Sequence, residues 1–246
     1  MAPRDEYVKA NLIPSWQGNV MMRFTFFSLT MPNTKTSFCT KQSVMEYLEI
    51  FMAVTVKGEK TREHILKASR KIFIKQGFHN TSVSEIISAT GVKKGNLYYH
   101  FASKEDLGLA VLEDAKEEFF HFLNKSLSGT DPVAKIINSC QAIFNEQKKN
   151  NFVDGCLFGN TALEMTDSNP EFASVIQEVF DRWTNKLEIL LLEASESKLL
   201  NSRISEKLMA KTVVATVEGA IMMSRVSKRE KDLFDFLAAI KNLLDH

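Results

Sequence analysis

Apolar side chains recur every three or four positions from residue 61 onward, which is the spacing of amphipathic helices. The apolar face of the first helix is formed by Ile65, Leu66, Ile72 and Phe73. Gly77 follows this helix and predicts its end, because glycine readily adopts the left-handed conformation of a C-cap. No later segment alternates apolar and polar positions as a half-buried strand does. The pattern therefore predicts an all-α fold.

Two short amphipathic segments follow the first helix. Ser82 and Glu85 have the spacing of a capping box, which predicts that a second helix begins there. Gly91 supplies a tight turn, and Leu97 and Phe101 anchor the short segment that comes after it. Two short helices joined by a glycine-bearing turn are typical of a helix-turn-helix, whose second helix enters a DNA groove.

The remainder of the chain predicts longer helices. Ser103 is a helix start with acidic residues in the first turn, and the helix runs to about residue 127. Asp131 and Pro132 predict the next start, since proline suits the first helical position. Further helices are expected over residues 132–149, 157–165, 170–195, 205–227 and 228–244.

The N-terminal residues follow a different pattern. Residues 1–51 show no sustained helical period, and their apolar run at residues 24–29 is far shorter than the roughly 20 residues that span a bilayer. We expect residues 1–56 to be a disordered leader or the product of a misassigned start, with Met52 as the natural beginning. The alternative is an arm specific to the protein's own family.

Charge divides the chain into two modules. The net charge of the 246 residues is +1, but residues 57–104 carry ten Lys and Arg against three Asp and Glu, and residues 105–246 carry 16 against 23. A basic module at +7 beside an acidic one at −7 is typical of a protein that touches nucleic acid with one end. We expect residues 57–104 to bind DNA and residues 105–246 to form a second helical domain.

The cysteines and histidines show no pattern of a metal site. The three cysteines and five histidines have neither zinc spacing nor an HExxH motif, so we expect no metal, no cofactor and a reduced, cytoplasmic setting. No nucleophile–base pair stands out either, so we expect no enzymatic activity.

The second short helix carries the side chains that a DNA groove and its phosphates require. Lys93 and Lys94 can meet phosphates, and lysine also reaches guanine acceptors. Gly95 permits close approach to the groove, and Asn96 can read adenine. Upstream, Thr81 and Ser82 offer hydroxyl groups and helix-start amides to phosphate.

The segment GFHNTSVSEIISATGVKKGNLYYHFASKEDL resembles the DNA-binding domain of TetR-type transcriptional regulators, and the resemblance covers residues 61–108. It implies that Tyr98, Tyr99, His100 and Lys104 contact phosphates. Downstream, Gly155-Cys156-Leu157 with Asn160 and Glu164, and Glu218-Gly219-Ala220, resemble the ligand-binding domain of one TetR subgroup.

The resemblance implies an all-helical homodimer. Three N-terminal helices bind a palindromic double-stranded DNA operator, and the C-terminal helices form the domain for ligand binding and dimerisation. A small, mostly apolar effector then shifts the recognition helices and releases the DNA, so that the protein acts as a ligand-responsive repressor of transcription. No membrane is implied.

Aromatic and Met side chains are numerous enough to line an effector cavity as well as a core. The residues that we expect at such a cavity are Phe122, Phe158, Asn160, Thr161, Glu164, Trp183 and Met222. Cys156 is a second kind of candidate, because a helix start lowers the pKa of a thiol and a thiolate can sense oxidants or electrophiles. The small residues Ala215, Gly219 and Ala220 form a face suited to close packing of a partner helix.

Two rival functions remain at this point. One is a DNA-binding regulator of the same fold that responds to a partner protein or to thiol modification rather than to a ligand. The other is an enzyme with an accessory DNA module, for which Asn145, Asn160, Glu164 and Cys156 would have to converge in one cleft.

Overall fold

Nine helices make up the part of the chain that the computed structural model describes, namely residues 41–200 and 203–245, with side chains described from residue 56. They are α1 (Lys41–Gln76), α2 (Val83–Thr90), α3 (Lys94–His100), α4 (Lys104–Ser126), α5 (Pro132–Lys149), α6 (Leu157–Met165), α7 (Pro170–Glu196), α8 (Glu206–Ser227) and α9 (Glu230–Leu244). Those residues contain no strand. The all-α prediction is therefore confirmed.

The first helix begins earlier than the sequence pattern predicts. It starts at Lys41, twenty residues before the expected start near Thr61. Residues 41–57 contain no proline that would stop a helix. Gly58, inside α1, lowers the stability of the helix by only about 1 kcal/mol relative to alanine. A leader was expected at residues 1–56. Its residues 1–40 lie outside the described residues, and its residues 41–56 are helical.

Two compact units divide the chain, Met1–Tyr47 and Leu48–His246. Of the first unit, the structure describes the helical backbone of residues 41–47. The second unit contains all the side chains considered below.

Local chemistry accounts for the helix boundaries. The Ser82 hydroxyl accepts the Glu85 amide while the Glu85 carboxylate accepts the Ser82 amide, which is the predicted capping box. Gly91 ends α2 in the left-handed conformation at φ 67°. Ser103 and Asp131 cap α4 and α5 with their side chains, as the sequence predicts.

The helix-turn-helix packs on the C-terminal half of α1. Phe73, Ile86 and Leu97 are buried between the three helices, as the sequence predicts. The ring of Phe78, at the turn after α1, lies 5.3 Å from the Phe73 ring and 5.2 Å from the Phe172 ring of α7. Aromatic packing through Phe78 thus connects the three N-terminal helices to the C-terminal helices.

The C-terminal helices share one apolar core. α7 packs against α4, α5, α6 and α8, and α9 packs against α5 and α8. One charged side chain lies inside this region: the buried Lys116 of α4 forms ion pairs with Glu113 and Glu178. Burial is the largest single influence on the pKa of Lys116 and lowers it, but the two carboxylates together outweigh burial, so the pKa is raised. Within the described residues, no helix combines the length and the apolar character that crossing a membrane requires.

We predict that Gly108→Ala destabilises the joint at Phe78. A Cβ on Gly108 would lie 2.6 Å from Phe78 Cε2 and 2.8 Å from Phe172 Cζ, so both rings would have to move. The free energy of unfolding, measured by chemical denaturation, should fall by about 1–3 kcal/mol.

Gly58→Ala is the matched control, because outside the nearby backbone of its own helix no atom of the described side chains lies within 4 Å of its added Cβ. In a helix interior it should be neutral or stabilising by up to about 1 kcal/mol. Equal effects of the two substitutions would contradict the packing described for Phe78.

Candidate functional site

The face of α3 that points away from the core is polar and exposed. Tyr99 is 82% exposed and Tyr98 42%, and both lie on the same short helix as the buried Leu97. The exposed surface of this region also includes Lys93, Lys94, Gly95 and Asn96. The Lys94 ammonium lies 6.0 Å from the centre of the Tyr98 ring. Six of the ten residues predicted to contact DNA therefore form one continuous surface at α3.

Thr81 and Ser82 are less available than the sequence suggests. Thr81 is buried, and its hydroxyl donates to the Gly77 carbonyl at 2.6 Å, so it closes the turn after α1. The exposed Ser82 hydroxyl is engaged with Glu85 in the capping box. Free backbone amides in the first turn of α2 are the groups of the kind that bind phosphate at a helix start.

His100 and Lys104 lie at the edge of the exposed surface. Burial, assisted by the nearby charge of Arg62, lowers the pKa of His100, so its ring is neutral near pH 7. It can donate one hydrogen bond in that form but adds no positive charge. The Lys104 ammonium lies 4.3 Å from the centre of the Phe78 ring and is partly exposed.

A basic concavity beside α3 was not predicted from the sequence. Lys57, Lys60 and His64 of α1 line it together with Lys93 and Asn96. The His64 ring nitrogen is 2.9 Å from the Thr90 carbonyl oxygen, which holds α1 against the end of α2. Lys57 and Lys60 belong to the positive module of residues 57–104, but their position beside α3 was not predicted because the first helix was expected to begin near Thr61.

A cavity of about 370 Å³ lies among the C-terminal helices and the end of α1. Its apolar lining is largely aromatic and comprises Phe119, Phe122, Phe158, Phe180 and Trp183, with Ile74, Ile143, Leu157, Val179 and Ile221. Its charged lining comprises Arg70, Glu118, Glu146, Asp154 and Glu218. Because Arg70 and Ile74 belong to α1, the helix that supports the helix-turn-helix is part of the cavity wall.

The structure separates the seven predicted ligand contacts into two groups. Phe122, Phe158 and Trp183 line the cavity, whereas Asn160, Thr161, Glu164 and Met222 do not. Asn160 donates to the Asp154 carbonyl and accepts from Arg225. Thr161 is buried away from the cavity, and Met222 is 60% exposed on the outer face of α8. The predicted assignment of these four residues to the cavity is corrected accordingly.

Glu164 instead holds the turn that follows α1. Its carboxylate accepts the backbone amides of Phe78 at 2.8 Å and His79 at 2.6 Å. Gly77, at φ 87°, leaves room for this carboxylate, since a Cβ there would lie 2.9 Å from both carboxylate oxygens. A side chain from α6 thereby fixes the corner that leads into the helix-turn-helix.

Cys156 and Glu218 meet at the cavity. Cys156 precedes α6, where its sulfur accepts the Gly159 amide, and its thiol adjoins the Glu218 carboxyl group of α8. Burial and the adjacent Glu218 raise the pKa of the Cys156 thiol well above its usual range. The expectation that a helix start lowers this pKa is therefore wrong, because desolvation outweighs the one amide hydrogen bond.

The residues required by the enzyme hypothesis do not share one cleft. Cys156 lines the main cavity, Asn160 and Glu164 lie at a separate surface depression beside Gly77, and Asn145 lies at a third.

An apolar stripe on the outer face of α8 is exposed. Leu208, Met222 and Val226 are 52%, 60% and 83% exposed, and Ala215 and Gly219 lie between them at helical spacing. The third small residue, Ala220, faces the core instead. On α9, Phe234 is 42% exposed.

Comparison with known families gives two matches that together cover most of the second unit. Residues 65–111 match the family described as bacterial regulatory proteins, tetR family. Residues 132–240 match the family described as tetracyclin repressor-like, C-terminal domain.

Individual proteins show the same similarity. The chain is 30% identical over 192 residues to the transcriptional regulator LmrA of Bacillus subtilis (strain 168), which covers 75% of this chain and 96% of LmrA. It is 26% identical over 185 residues to the transcriptional repressor DhaR of Mycobacterium sp. (strain GP1), covering 73% and 89% respectively.

Solved structures agree with these relatives. A TetR transcriptional regulator from Chloroflexus aurantiacus superimposes with a TM-score of 0.71 at 29% identity, covering 76% of this chain and 94% of that one. The reduced form of Escherichia coli NemR superimposes with a TM-score of 0.68 at 25% identity, covering 75% and 98%.

We predict that Glu218→Gln gains stability over the original protein as the pH rises. Burial raises the pKa of Glu218 above its ordinary value of 4.5 in the folded state. Below that value the carboxyl group is protonated in both the folded and unfolded states, so it contributes no pH dependence. Above it the unfolded state ionises first, and the original protein loses stability that the glutamine variant keeps.

Urea denaturation at a series of pH values from 4 to about 8 measures this difference. The gap in unfolding free energy between the two proteins should widen with rising pH until the folded-state pKa is passed. A gap that stays constant over the series would show that Glu218 is not desolvated.

Proposed function

We propose a function for this chain, which belongs to the TetR family of bacterial transcriptional regulators. It binds a palindromic operator as a homodimer, and a small-molecule effector releases it from the operator. Regulation of transcription through DNA binding follows from the family itself. One observation carries the finer proposal: α6 touches the cavity at its first turn and the helix-turn-helix corner, through Glu164, near its last turn. Action at a chromosomal operator implies a cytoplasmic site of action.

The DNA contacts are assigned from exposure and chemistry. Lys94 and Asn96 reach base edges in the major groove, and Lys93, Tyr98 and Tyr99 contact the phosphates on either side. Lys57 and Lys60 extend the phosphate contact along α1. His100, Lys104, Gly95 and the Ser82 end of α2 complete the surface, and the buried Thr81 supports it from behind.

The exposed stripe of α8, with Phe234 of α9, is the surface that a second copy of the chain covers. A contiguous apolar strip that contains Ala215 and Gly219 permits close approach of a symmetry-related helix. Two copies place two recognition helices on one duplex, which matches a two-fold symmetric operator.

The cavity is the effector site, and α6 connects it to the DNA-binding surface. Cys156, Leu157 and Phe158 contact the cavity at the start of α6, and Glu164 lies about two turns further along the same helix. A ligand that displaces the first turn therefore moves the carboxylate that holds the corner at Phe78 and His79. The effector must bind the DNA-free state better than the DNA-bound state, and this difference in affinity sets the extent of release.

Thiol modification is the weaker alternative for the signal. Cys156 lies at the cavity, as a sensor would, and one structural relative is described as a reduced form. The raised pKa of this thiol keeps it protonated near neutral pH, whereas the thiolate is the reactive species.

We predict that Lys94→Ala and Lys60→Ala weaken operator binding in different ways. The operator duplex is first selected by the protein from a random-sequence pool, and affinity is then measured by fluorescence anisotropy over a range of salt concentrations. Lys94→Ala should cost about 1–3 kcal/mol and relax the base preference at one position per half-site. Lys60→Ala should weaken binding to all sequences and reduce the salt slope by about 1 per contact.

Lys125→Ala removes the same charge at the far end of α4 and should leave both affinity and salt slope unchanged. A protected footprint without two-fold symmetry, or equal effects from all three variants, would contradict the proposed DNA contacts.

We predict that Glu164→Gln weakens operator binding although it lies outside the DNA-binding surface. Glutamine offers one acceptor oxygen and an NH₂ group, so one of the two amides at Phe78 and His79 loses its acceptor. Losing one hydrogen bond to a charged group costs about 1 kcal/mol or more. If this hydrogen bond forms only in the DNA-competent state, operator affinity should fall roughly fivefold.

Asp167→Asn is the control, because it removes an exposed charge just beyond the same helix. Its operator affinity should stay within about twofold of the original, on the scale expected of an exposed charge. If Glu164→Gln also stays within that range, the corner does not depend on this carboxylate.

A further inference from the structure

The charge of the cavity lining is unusual for a site that takes only apolar molecules. Four acidic residues line it, against the single basic residue Arg70. Two of these acids already have partners, because Glu118 pairs with Arg70 and Glu146 pairs with Lys149. Both pairs are partly exposed, so water screens them and they add little net field to the interior.

Like Asp154, the half-buried Glu218 forms no ion pair within the described residues. Its carboxyl group lies against the first turn of α6, where Oε2 would be 2.6 Å from a Cβ on Gly159. The group beside it is the neutral thiol of Cys156. Burial raises the pKa of Glu218, and a cation at the cavity would compensate the charge that burial disfavours.

Aromatic rings line the same cavity as the Glu218 carboxyl group. The Phe119 ring lies 5.2 Å from Trp183 and 5.9 Å from Phe158, and both contacts are edge-to-face. All three residues line the cavity, and aromatic π faces attract cations that carry little hydration.

The possible classes of ligand differ in how well they satisfy this lining. A neutral apolar compound suits the rings but supplies no positive charge to Glu218. An anionic compound would approach four acidic residues, and the one guanidinium present is already bound by Glu118. A weakly hydrated organic cation suits both the carboxyl group and the rings.

We infer that the effector is an amphipathic organic cation, whose charge pairs with Glu218 while its apolar body lies against Phe119, Phe158 and Trp183. This inference rests on the proposed function, in that it takes the cavity to be the effector site. It also narrows the expectation of a mostly apolar effector to one that carries a single positive charge.

Two probe compounds of the same shape test the inference. Phenyltrimethylammonium and tert-butylbenzene differ in the charged nitrogen that replaces a carbon. Binding of each to the full-length protein is measured by calorimetry, without DNA. The cation should bind roughly tenfold or more tightly than the neutral compound, because a desolvated carboxylate and aromatic faces both favour it.

Three variants locate the charge preference. Glu218→Gln should reduce affinity for the cation by about tenfold or more, and leave affinity for tert-butylbenzene within about threefold. Glu193→Gln removes an exposed carboxylate of α7 outside the cavity and should change neither affinity. Gly159→Ala displaces the Glu218 carboxyl group and should weaken binding of the cation more than binding of the neutral compound. Thermal melting confirms that each variant is folded.

The outcomes separate this inference from the proposed function. If tert-butylbenzene binds as tightly as the cation, if neither compound binds, or if Glu218→Gln weakens both equally, the inference is overturned. Release of the selected operator duplex is then measured with each compound. Release by both compounds equally supports the proposed function and overturns the inference. Tight, Glu218-dependent binding of the cation without release supports a cation site at Glu218 and overturns the proposed function.

Discussion

The Glu164 carboxylate is the contact on which the relation between the two parts of the second unit depends. It accepts two consecutive backbone amides at the corner after α1, and those amides are 2.8 Å and 2.6 Å away. This geometry requires a glycine before the Phe78 and His79 amides. Gly77 adopts the left-handed conformation that turns the chain, and it leaves space for both carboxylate oxygens of Glu164. α6 rises only about 12 Å over its nine residues, so its cavity end and its Glu164 end move as one rigid body.

Other contacts at the same boundary are apolar or screened. The Phe78 ring packs between Phe73 and Phe172, which resists separation but tolerates small sliding because ring contacts have no fixed donor and acceptor. The Arg70–Glu118 ion pair joins α1 to α4 at the cavity and is partly exposed. Under the proposed function, a directional hydrogen-bonded contact beside packing that can slide lets a small shift of α6 change the orientation of the DNA-binding helices.

Local sequence signals predicted the part of the fold that depends on neighbouring residues. The capping box at Ser82, the left-handed Gly91 and the cap at Asp131 are set within a few residues and appear as expected. The start of α1 was missed because residues 1–51 were interpreted as one segment without a sustained helical period, although no proline interrupts residues 41–60. The candidates at α3 lie exposed, away from the core, because Leu97 is the buried residue of this seven-residue helix, and their contact with DNA stays a prediction.

The cavity could be predicted only in part, because periodicity assigns a face to a helix but does not say which neighbour covers it. Phe158 and Glu164 both belong to α6, yet the first faces the cavity and the second faces the corner after α1. Glu218 was noticed only as part of a family motif, since its environment depends on Gly159 and Cys156 more than 50 positions away. Long-range partners of this kind also reversed the expected pKa shift of Cys156.

Hydrogen exchange at the Phe78 and His79 amides tests the central claim most directly. These amides are followed by NMR in the full chain, with and without saturating phenyltrimethylammonium, and the amides of Gly91 and Phe101 serve as references within the DNA-binding helices. If the cavity controls the corner through Glu164, exchange at Phe78 and His79 should accelerate by about tenfold when the cavity is filled, while the references stay unchanged. Unchanged exchange at Phe78 and His79, at a concentration of the cation that releases the operator, would contradict the account.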